Sequence, residues 1–347
     1  MSMDPIFRRA TFDEELVTFE RWRHLWGDGL TSNRLIERES VLRNHKWGSR
    51  VIVYVIADKI TNEVYSSCDV YDVPAVLGGA SVEILHLASL FTPECSRRRG
   101  YASLLIKEVI KVGEKRPGCV GLLLFSDIGP SFYKSLGFFV TGDEEEPYDL
   151  LFPAAGGDLE SASTVAVEMI RSIDQLNESD FNVNENMEDE QHTATLPIEI
   201  PRAEFHILFD SFSPVAPNAS TIYSGARVLP CDSSPTGGSI IFTADYSTKE
   251  LEILSIVASE ADVAASLIAA ARKEAASRGL LRVRLWYSGS PLQGATRENS
   301  TFLSPVASKC ILDLKPECVP RKGRLPMMYS FSKELHDLSP VSRVHWW

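Results

Sequence analysis

The chain lacks any apolar run near the ~20 residues that a helix needs to cross a bilayer. Residues 1–15 hold no apolar segment of the kind a secretory signal carries. The expectation is a cytoplasmic protein that does not act at a membrane. Cysteine is sparse: six residues (Cys68, Cys95, Cys119, Cys231, Cys310, Cys318) stand scattered. None forms a C-x-x-C pair, so neither a zinc site nor a redox motif is signalled. The seven histidines show no metal-ligand spacing, and no metal is expected. Positive charge is in deficit too, with 35 Lys and Arg against 47 Asp and Glu, a net charge of -12. That argues against a protein that grips nucleic acid through its phosphates. It fits a cationic small molecule or peptide, although solubility alone would also account for it.

What is present is ordinary globular material: 347 residues, 44% hydrophobic and 24% charged, a length that suggests two domains. The pattern predicts strands at 6–11, 50–57 and 63–71, and helices at 13–26 and 31–44. A nearly continuous apolar strand at 81–91, buried on both faces, follows. Next come a helix at 100–112 with Tyr101, Leu104, Leu105, Val109 and Val112 on one face, a strand at 120–125, a short helix at 130–136 and a strand from 138. This βαβ crossover preceded by a hairpin predicts an α/β fold with a mixed sheet. Residues 154–194, with Gly156-Gly157 and an acidic stretch at 185–190, read as a linker with some helix. Beyond it the same order returns: strands at 239–246 and 251–258, an alanine-rich helix at 261–278, and a strand at 280–287. Val82-Glu83-Ile84-Leu85 even echoes Leu251-Glu252-Ile253-Leu254. The expected organisation is a first domain at 1–153 and a second, degenerate copy at 195–347. Three N-x-S/T sequons, at Asn177, Asn218 and Asn299, are read as chance.

One string carries chemistry: Arg97-Arg98-Arg99-Gly100-Tyr101-Ala102-Ser103, at a strand-to-helix junction. A helix start offers backbone N–H groups without internal partners, and its dipole attracts anions such as a pyrophosphate. Gly100 permits close backbone approach, and three arginines add positive potential. A basic surface helix start is the plainer alternative. The string resembles the R/Q-x-x-G-x-G/A loop of the GNAT superfamily of N-acetyltransferases, met by Arg97, Gly100 and Ala102. About thirty residues on, Phe132-Tyr133-Lys134-Ser135-Leu136-Gly137-Phe138 resembles that superfamily's F-Y-x-x-x-G-F segment.

The resemblance implies a mixed-sheet GNAT fold and acetyl-CoA as co-substrate, bound by residues 97–103. It also implies that Tyr133 protonates the leaving thiolate and that amides at the end of the preceding strand, those of Leu90 and Thr92, hold the oxyanion; Pro93 has no N–H to give. An alkyl amine with a pKa of about 10.4 is deprotonated in about one molecule per thousand near neutral pH, so the site needs a base. His86 is the first candidate, eleven residues before Arg97; a buried strand histidine with a structural hydrogen bond is its alternative. Glu83 and Asp127 are others, Asp127 because it follows a strand's C-terminal end.

The chain further resembles the fungal lysine N6-acetyltransferase-like proteins, a two-domain GNAT family. The shared stretches are Asn44-His45-Lys46-Trp47, Ser66-Ser67-Cys68-Asp69-Val70-Tyr71, Phe91-Thr92-Pro93, Ser126-Asp127-Ile128-Gly129, Tyr223-Ser224-Gly225-Ala226 and Arg324-Leu325-Pro326-Met327. That family implies transfer of acetyl to the ε-amine of free L-lysine. Two departures stand out: Glu94-Cys95-Ser96 where Pro-Glu-Tyr is common, and Cys68-Asp69 where a glutamate is common, which bears on substrate choice. Trp22, Arg23 and Trp47 are possible pocket residues, although such residues are more often packing or surface. The second region has Ser259-Glu260-Ala261-Asp262 where a cofactor loop would stand, and carboxylates there repel a pyrophosphate. One active site per chain is therefore expected. Two rival readings remain open: a peptide-lysine or N-terminal acetyltransferase, and a non-catalytic acetyl-CoA sensor or scaffold.

Overall fold

The computed structural model describes residues 4–141, 148–154, 165–172, 175, 192–197, 199–216, 223–230, 237–287, 305–321, 323–338 and 345. In chain order the elements are β1 (Pro5–Arg9), α1 (Phe12–Trp26), α2 (Ser32–Asn44), β2 (Ile52–Asp58), β3 (Val64–Leu77), β4 (Ala80–Phe91), α3 (Tyr101–Glu114) and β5 (Cys119–Ser126). Then come α4 (Ser131–Lys134), β6 (Phe139–Val140), β7 (Tyr148–Pro153), β8 (Glu168–Ile170), β9 (Thr193–Thr195), α5 (Ile200–Ser211), β10 (Gly225–Val228), β11 (Gly238–Asp245) and β12 (Glu250–Ala258). Last are α6 (Ala261–Ser277), β13 (Arg282–Tyr287), α7 (Pro305–Asp313), β14 (Glu317–Pro320), β15 (Leu325–Ser330) and β16 (Asp337–Leu338). Gly156-Gly157, the acidic run at 185–190, Cys231 and the three sequons lie outside the described residues.

Local chemistry accounts for the first elements. Thr11 and Glu14 form a capping box on α1: the Thr11 hydroxyl accepts from the Glu14 N–H at 3.4 Å, and the Thr11 N–H donates to Glu14 Oε2 at 2.9 Å. On α3, Tyr101, Leu105, Ile106, Val109 and Ile110 recur at helical spacing and are all buried. They pack on Leu85 and Leu87 of β4 and Leu122 and Leu124 of β5. Leu105→Ala would therefore cost about 2–5 kcal/mol. The alternate β4 residues, Ile84 and Ala88, face the other way, into a core with Leu42, Trp47, Tyr71 and Phe205. The strand is buried on both faces, as its composition suggests.

Two sheets result. The first runs β1-β2-β3-β4-β5-β15-β6, with β9 on β3 and β16 on β9; the second runs β14-β7-β13-β12-β11-β10-β8. Each is centred on a parallel pair, β4–β5 and β12–β13, whose strands are joined by α3 and α6 respectively. Both β4 and β12 also slip by one residue against the antiparallel strand before them. The two echoing words fall on these two strands. The internal duplication is thus visible as repeated architecture.

The halves interlock through an exchange of strands. β7 pairs with β13 and β14 in the second sheet, while β15 pairs with β5 and β6 in the first. The ranges 1–153 and 195–347 therefore do not coincide with the two sheets. Nothing in a strand's two-residue alternation names its partner. Buried charge ties the exchanged β7 in place: Asp149 accepts from Arg321 Nε at 2.7 Å and also pairs with Arg284, which reaches Glu250 at 2.7 Å. Between the sheets, α5 sends Phe205 into the first core and Ala203 against Ile241 and Leu254 of the second. No described helix is long and apolar enough to cross a membrane.

Candidate active site

Pairing between β4 and β5 stops at Leu87 opposite Leu124, although β4 continues to Phe91 and β5 to Ser126. Just past that point β4 bulges: Ala88 stands opposite Asp69 and Phe91 opposite Ser67, so one extra residue is accommodated. Ser89 takes the strain of the bulge with a left-handed φ of 51°. The bulge turns the end of β4, including Leu90 and Thr92, out of the regular ladder. The Thr92 hydroxyl lies 2.9 Å from Ser66 Oγ, and Ser66 donates to the Phe91 carbonyl at 3.2 Å.

Residues 92–100 then close a tight basic loop. Arg97 Nε donates to the Thr92 carbonyl at 3.0 Å, bridging the loop's two ends. Arg98 (φ 60°) and Gly100 (φ 81°) are both left-handed, the conformation from which backbone nests for anions are built. Gly100 is the N-cap of α3 and has no side chain with which to satisfy the helix's first amides. A Cβ there would meet nothing within 4 Å, so the space before α3 is open and the cost of a side chain lies in φ alone. Arg97, Arg98 and Arg99 are exposed, while Ala102 and Ser103 are partly buried in the first turn. The predicted cofactor residues are thus brought together at one helix start.

Tyr133 lies on α4, packed edge-on against Phe132 at 5.0 Å and Phe138 at 5.8 Å. It shares the α3-side core with Cys68, Leu87 and Leu124. Burial pushes its hydroxyl pKa well above the ordinary value, helped by the nearby Asp127 carboxylate. The segment is held by the exchanged strand. Gly137 has φ 95°, and a Cβ there would come within 2.9 Å of the Tyr329 ring on β15. Tyr329 also packs on Phe138 at 5.5 Å.

The candidate bases fare differently. His86 is 1% exposed, between Tyr71 and Phe125. Arg202 Nη2 donates to its Nδ1 at 3.0 Å and also to the carbonyl of His345. Burial, then the Arg202 charge, holds the His86 pKa well below its ordinary value. It is a sealed, neutral histidine with a structural hydrogen bond, and this geometry argues against a proton-accepting role. Glu83, near the start of β4, is ion-paired to Arg116 at 2.7 Å, far along the strand from the bulge. Asp127 is exposed and accepts from the Arg324 N–H at 3.1 Å; Arg324 in turn reaches Glu252 at 2.7 Å. Its carboxylate thus ties the two halves together beside Tyr133. Trp22 and Trp47 are buried core residues, and Arg23 pairs with Glu20 at 3.0 Å on the surface.

One group of side chains has no counterpart in the sequence motifs. On the α2 side of the bulge, Arg43 Nη2 lies 3.9 Å from Asp69 and its Nε 3.4 Å from Glu15, with Glu39 adjacent on α2. Burial raises the carboxyl pKa of Asp69, Glu15 and Glu39 alike, with Arg43 opposing the shift in each. These residues come from α1, α2 and β3, so no local spacing announces them. The only hint is Asp69 itself, at the family departure beside Cys68.

No protein-family profile and no curated protein sequence matches the chain. Solved structures do. A probable N-acyltransferase from Enterococcus faecalis superposes with a TM-score of 0.59 at 13% identity, over 94% of this chain and 72% of that one. A GCN5-related N-acetyltransferase from Anabaena variabilis gives 0.58 at 12%, over 95% and 73%, and another from Kribbella flavida gives 0.56 at 16%, over 94% and 71%. The fold is that of the GCN5-related N-acetyltransferases. Because the likeness covers more than nine-tenths of the chain, it spans both sheets. Within that fold the second half is a degenerate copy. Where the first has residues 92–100, it has only Ser259 and Glu260 between β12 and α6. Glu260 is the α6 N-cap and Asp262 stands in its first turn, so carboxylates already occupy the dipole's positive end. Among the described residues no group of three or more His, Cys, Asp or Glu could hold a metal.

Proposed function

We propose that this chain transfers acetyl from acetyl-CoA to a primary amine, with the ε-amine of free L-lysine as acceptor, at one site in its first half. The observation that carries the reading is the uncapped, arginine-flanked start of α3, set beside the β4 bulge and Tyr133. The backbone N–H groups at this helix start, with Arg97, Arg98 and Arg99, suit a pyrophosphate. The parting of β4 from β5 provides a slot for an extended thiol arm. Acetyl-CoA supplies an activated thioester. Around it, the amides near Leu90 and Thr92 stabilise the oxyanion, and Tyr133, which keeps its proton at any ordinary pH, donates it to the leaving sulfur.

Free lysine as acceptor rests on the family resemblance. It is supported by the mixed charge on the α2 side of the bulge, where carboxylates suit an ammonium and Arg43 suits a carboxylate. Small-molecule substrate and cytoplasmic location belong to the same reading. Calorimetry with acetyl-CoA tests it. The wild type is expected to bind, and Gly100→Asp to lose binding at least a hundredfold, because the substitution adds an anion to a left-handed position facing the pyrophosphate. Unchanged affinity in Gly100→Asp would remove the loop assignment.

A further inference from the structure

Acetyl transfer needs a proton acceptor on the amine's side of the thioester, and none of the three sequence candidates has the setting for it. His86 is sealed under Arg202, Glu83 is held by Arg116 far along β4 from the bulge, and Asp127 lies beside Tyr133, on the leaving group's side. The acceptor has to be found from the geometry of the bulge.

Strand alternation places the groups. Cys68 of β3 faces α3 and shares the core of Tyr133. Its neighbour Asp69 points to the opposite face, the side on which Tyr71 and Val73 meet α2. There Asp69 stands opposite Ala88, at the first residue before the extra residue of β4. Ser89, the left-handed residue of the bulge, lies beside its carboxylate, and Arg43 approaches it at 3.9 Å. Tyr133 and Asp69 therefore flank the same step of the β3–β4 ladder from opposite faces. The thioester reading puts the carbonyl at that step, with sulfur toward Tyr133 and the open face of the carbon toward Asp69.

We infer that Asp69 is the general base of the proposed acetyl transfer, taking the proton from the attacking nitrogen on the face opposite Tyr133. The inference rests on the acetyltransferase reading of the site. Asp69 takes a proton from the bound ammonium, and the neutral nitrogen attacks the carbonyl carbon. The nitrogen–carbon bond forms, the carbon–sulfur bond breaks as Tyr133 protonates the sulfur, and the nitrogen loses its second proton to solvent. A proton returning from Asp69 to Tyr133 through solvent resets the pair.

The surroundings fit this role. The ionisable groups around Asp69 are Arg43 and Glu39 from α2, with Arg38 bonded to Glu39, Glu15 from α1, and Tyr71 on its own strand, while Cys68 beside it faces the other way. Burial raises the Asp69 pKa, while Arg43 and the Ser89 hydroxyl restrain the rise. Burial makes a carboxylate so placed a stronger proton acceptor than one in water. Glu39 is held by Arg38 at 3.1 Å, which leaves Glu15 and Asp69 as the carboxylates facing Arg43.

The test compares Asp69→Asn, Asp69→Glu and wild type on two nucleophiles: the amine that wild type acetylates fastest, beginning with L-lysine, and hydroxylamine, which is already unprotonated at neutral pH. Acetyl-CoA affinity is measured alongside as a check on folding. Asp69→Asn should lower kcat with the alkyl amine about a hundredfold or more, lower it much less with hydroxylamine, and keep acetyl-CoA affinity within about threefold. Asp69→Glu should recover part of the loss. A loss below threefold with the alkyl amine, or equal losses on both nucleophiles, would overturn the assignment while leaving acetyl transfer standing. No wild-type turnover with either nucleophile would remove the acetyltransferase reading and the base with it.

Discussion

Tyr133 and Gly100 show how the same resemblance gains physical content once side chains are placed. Tyr133 is 6% exposed, and burial beside Asp127 and Cys68 favours its protonated form. Removing the hydroxyl leaves the ring's packing on Phe132 and Phe138 intact. Tyr133→Phe should therefore cut kcat by about a hundredfold or more with acetyl-CoA affinity unchanged; steady-state kinetics that show normal kcat would deny it the acid role. Gly100 is needed for its φ of 81°. Gly100→Ala adds about 1–2 kcal/mol of strain with no clash, so calorimetry should show acetyl-CoA binding weakened by about tenfold. Both residues could be singled out from the sequence because each sits in a contiguous motif. His86 is the opposite case: its spacing from Arg97 suits a base, but the partner that seals it, Arg202, lies 116 residues away. Asp69, Arg43 and Glu15 were illegible as a group for the same cause, since three elements must fold before they meet.

At the scale of elements, the core strands and helix of each half, β2 to β5 with α3 and β11 to β13 with α6, were readable from periodicity, whereas α5, α7, β7 and β15 were not read at all. The exchange of β7 and β15 was not, because a strand's alternation fixes which face is buried and leaves its neighbour open. The exchange has consequences. Asp149 on β7 is almost wholly buried between Arg284 and Arg321. Asp149→Ala would leave two guanidiniums short of a partner and should destabilise the protein by about 3–5 kcal/mol, read from the midpoint of urea unfolding. Gly137 couples β15 to the Tyr133 segment in the same way. A Cβ would press on Tyr329 at a φ that side chains avoid, so a larger residue there should disturb turnover before it disturbs acetyl-CoA binding.

For the molecule as a whole, interlocked sheets mean that neither half is complete alone. Residues 1–153 expressed separately lack β15 and should not unfold cooperatively; a sharp transition would contradict the interlock. Buried histidines also set a pH limit. His86 is held neutral, and burial lowers the His345 pKa to about 3. In the unfolded chain both titrate near 6.5. Their contribution is full above that value and is lost as pH falls below it, with a slope of up to about 1.4 kcal/mol per pH unit for each. Urea unfolding at pH 7 and pH 5 should show the drop, and equal stability at the two would place charge on these rings.

The most direct test of the central claim is thiol release from acetyl-CoA by the purified full-length chain across a panel of amines that includes L-lysine. The account predicts turnover, with L-lysine the fastest acceptor. Tight binding of acetyl-CoA with no amine in the panel acetylated would contradict it.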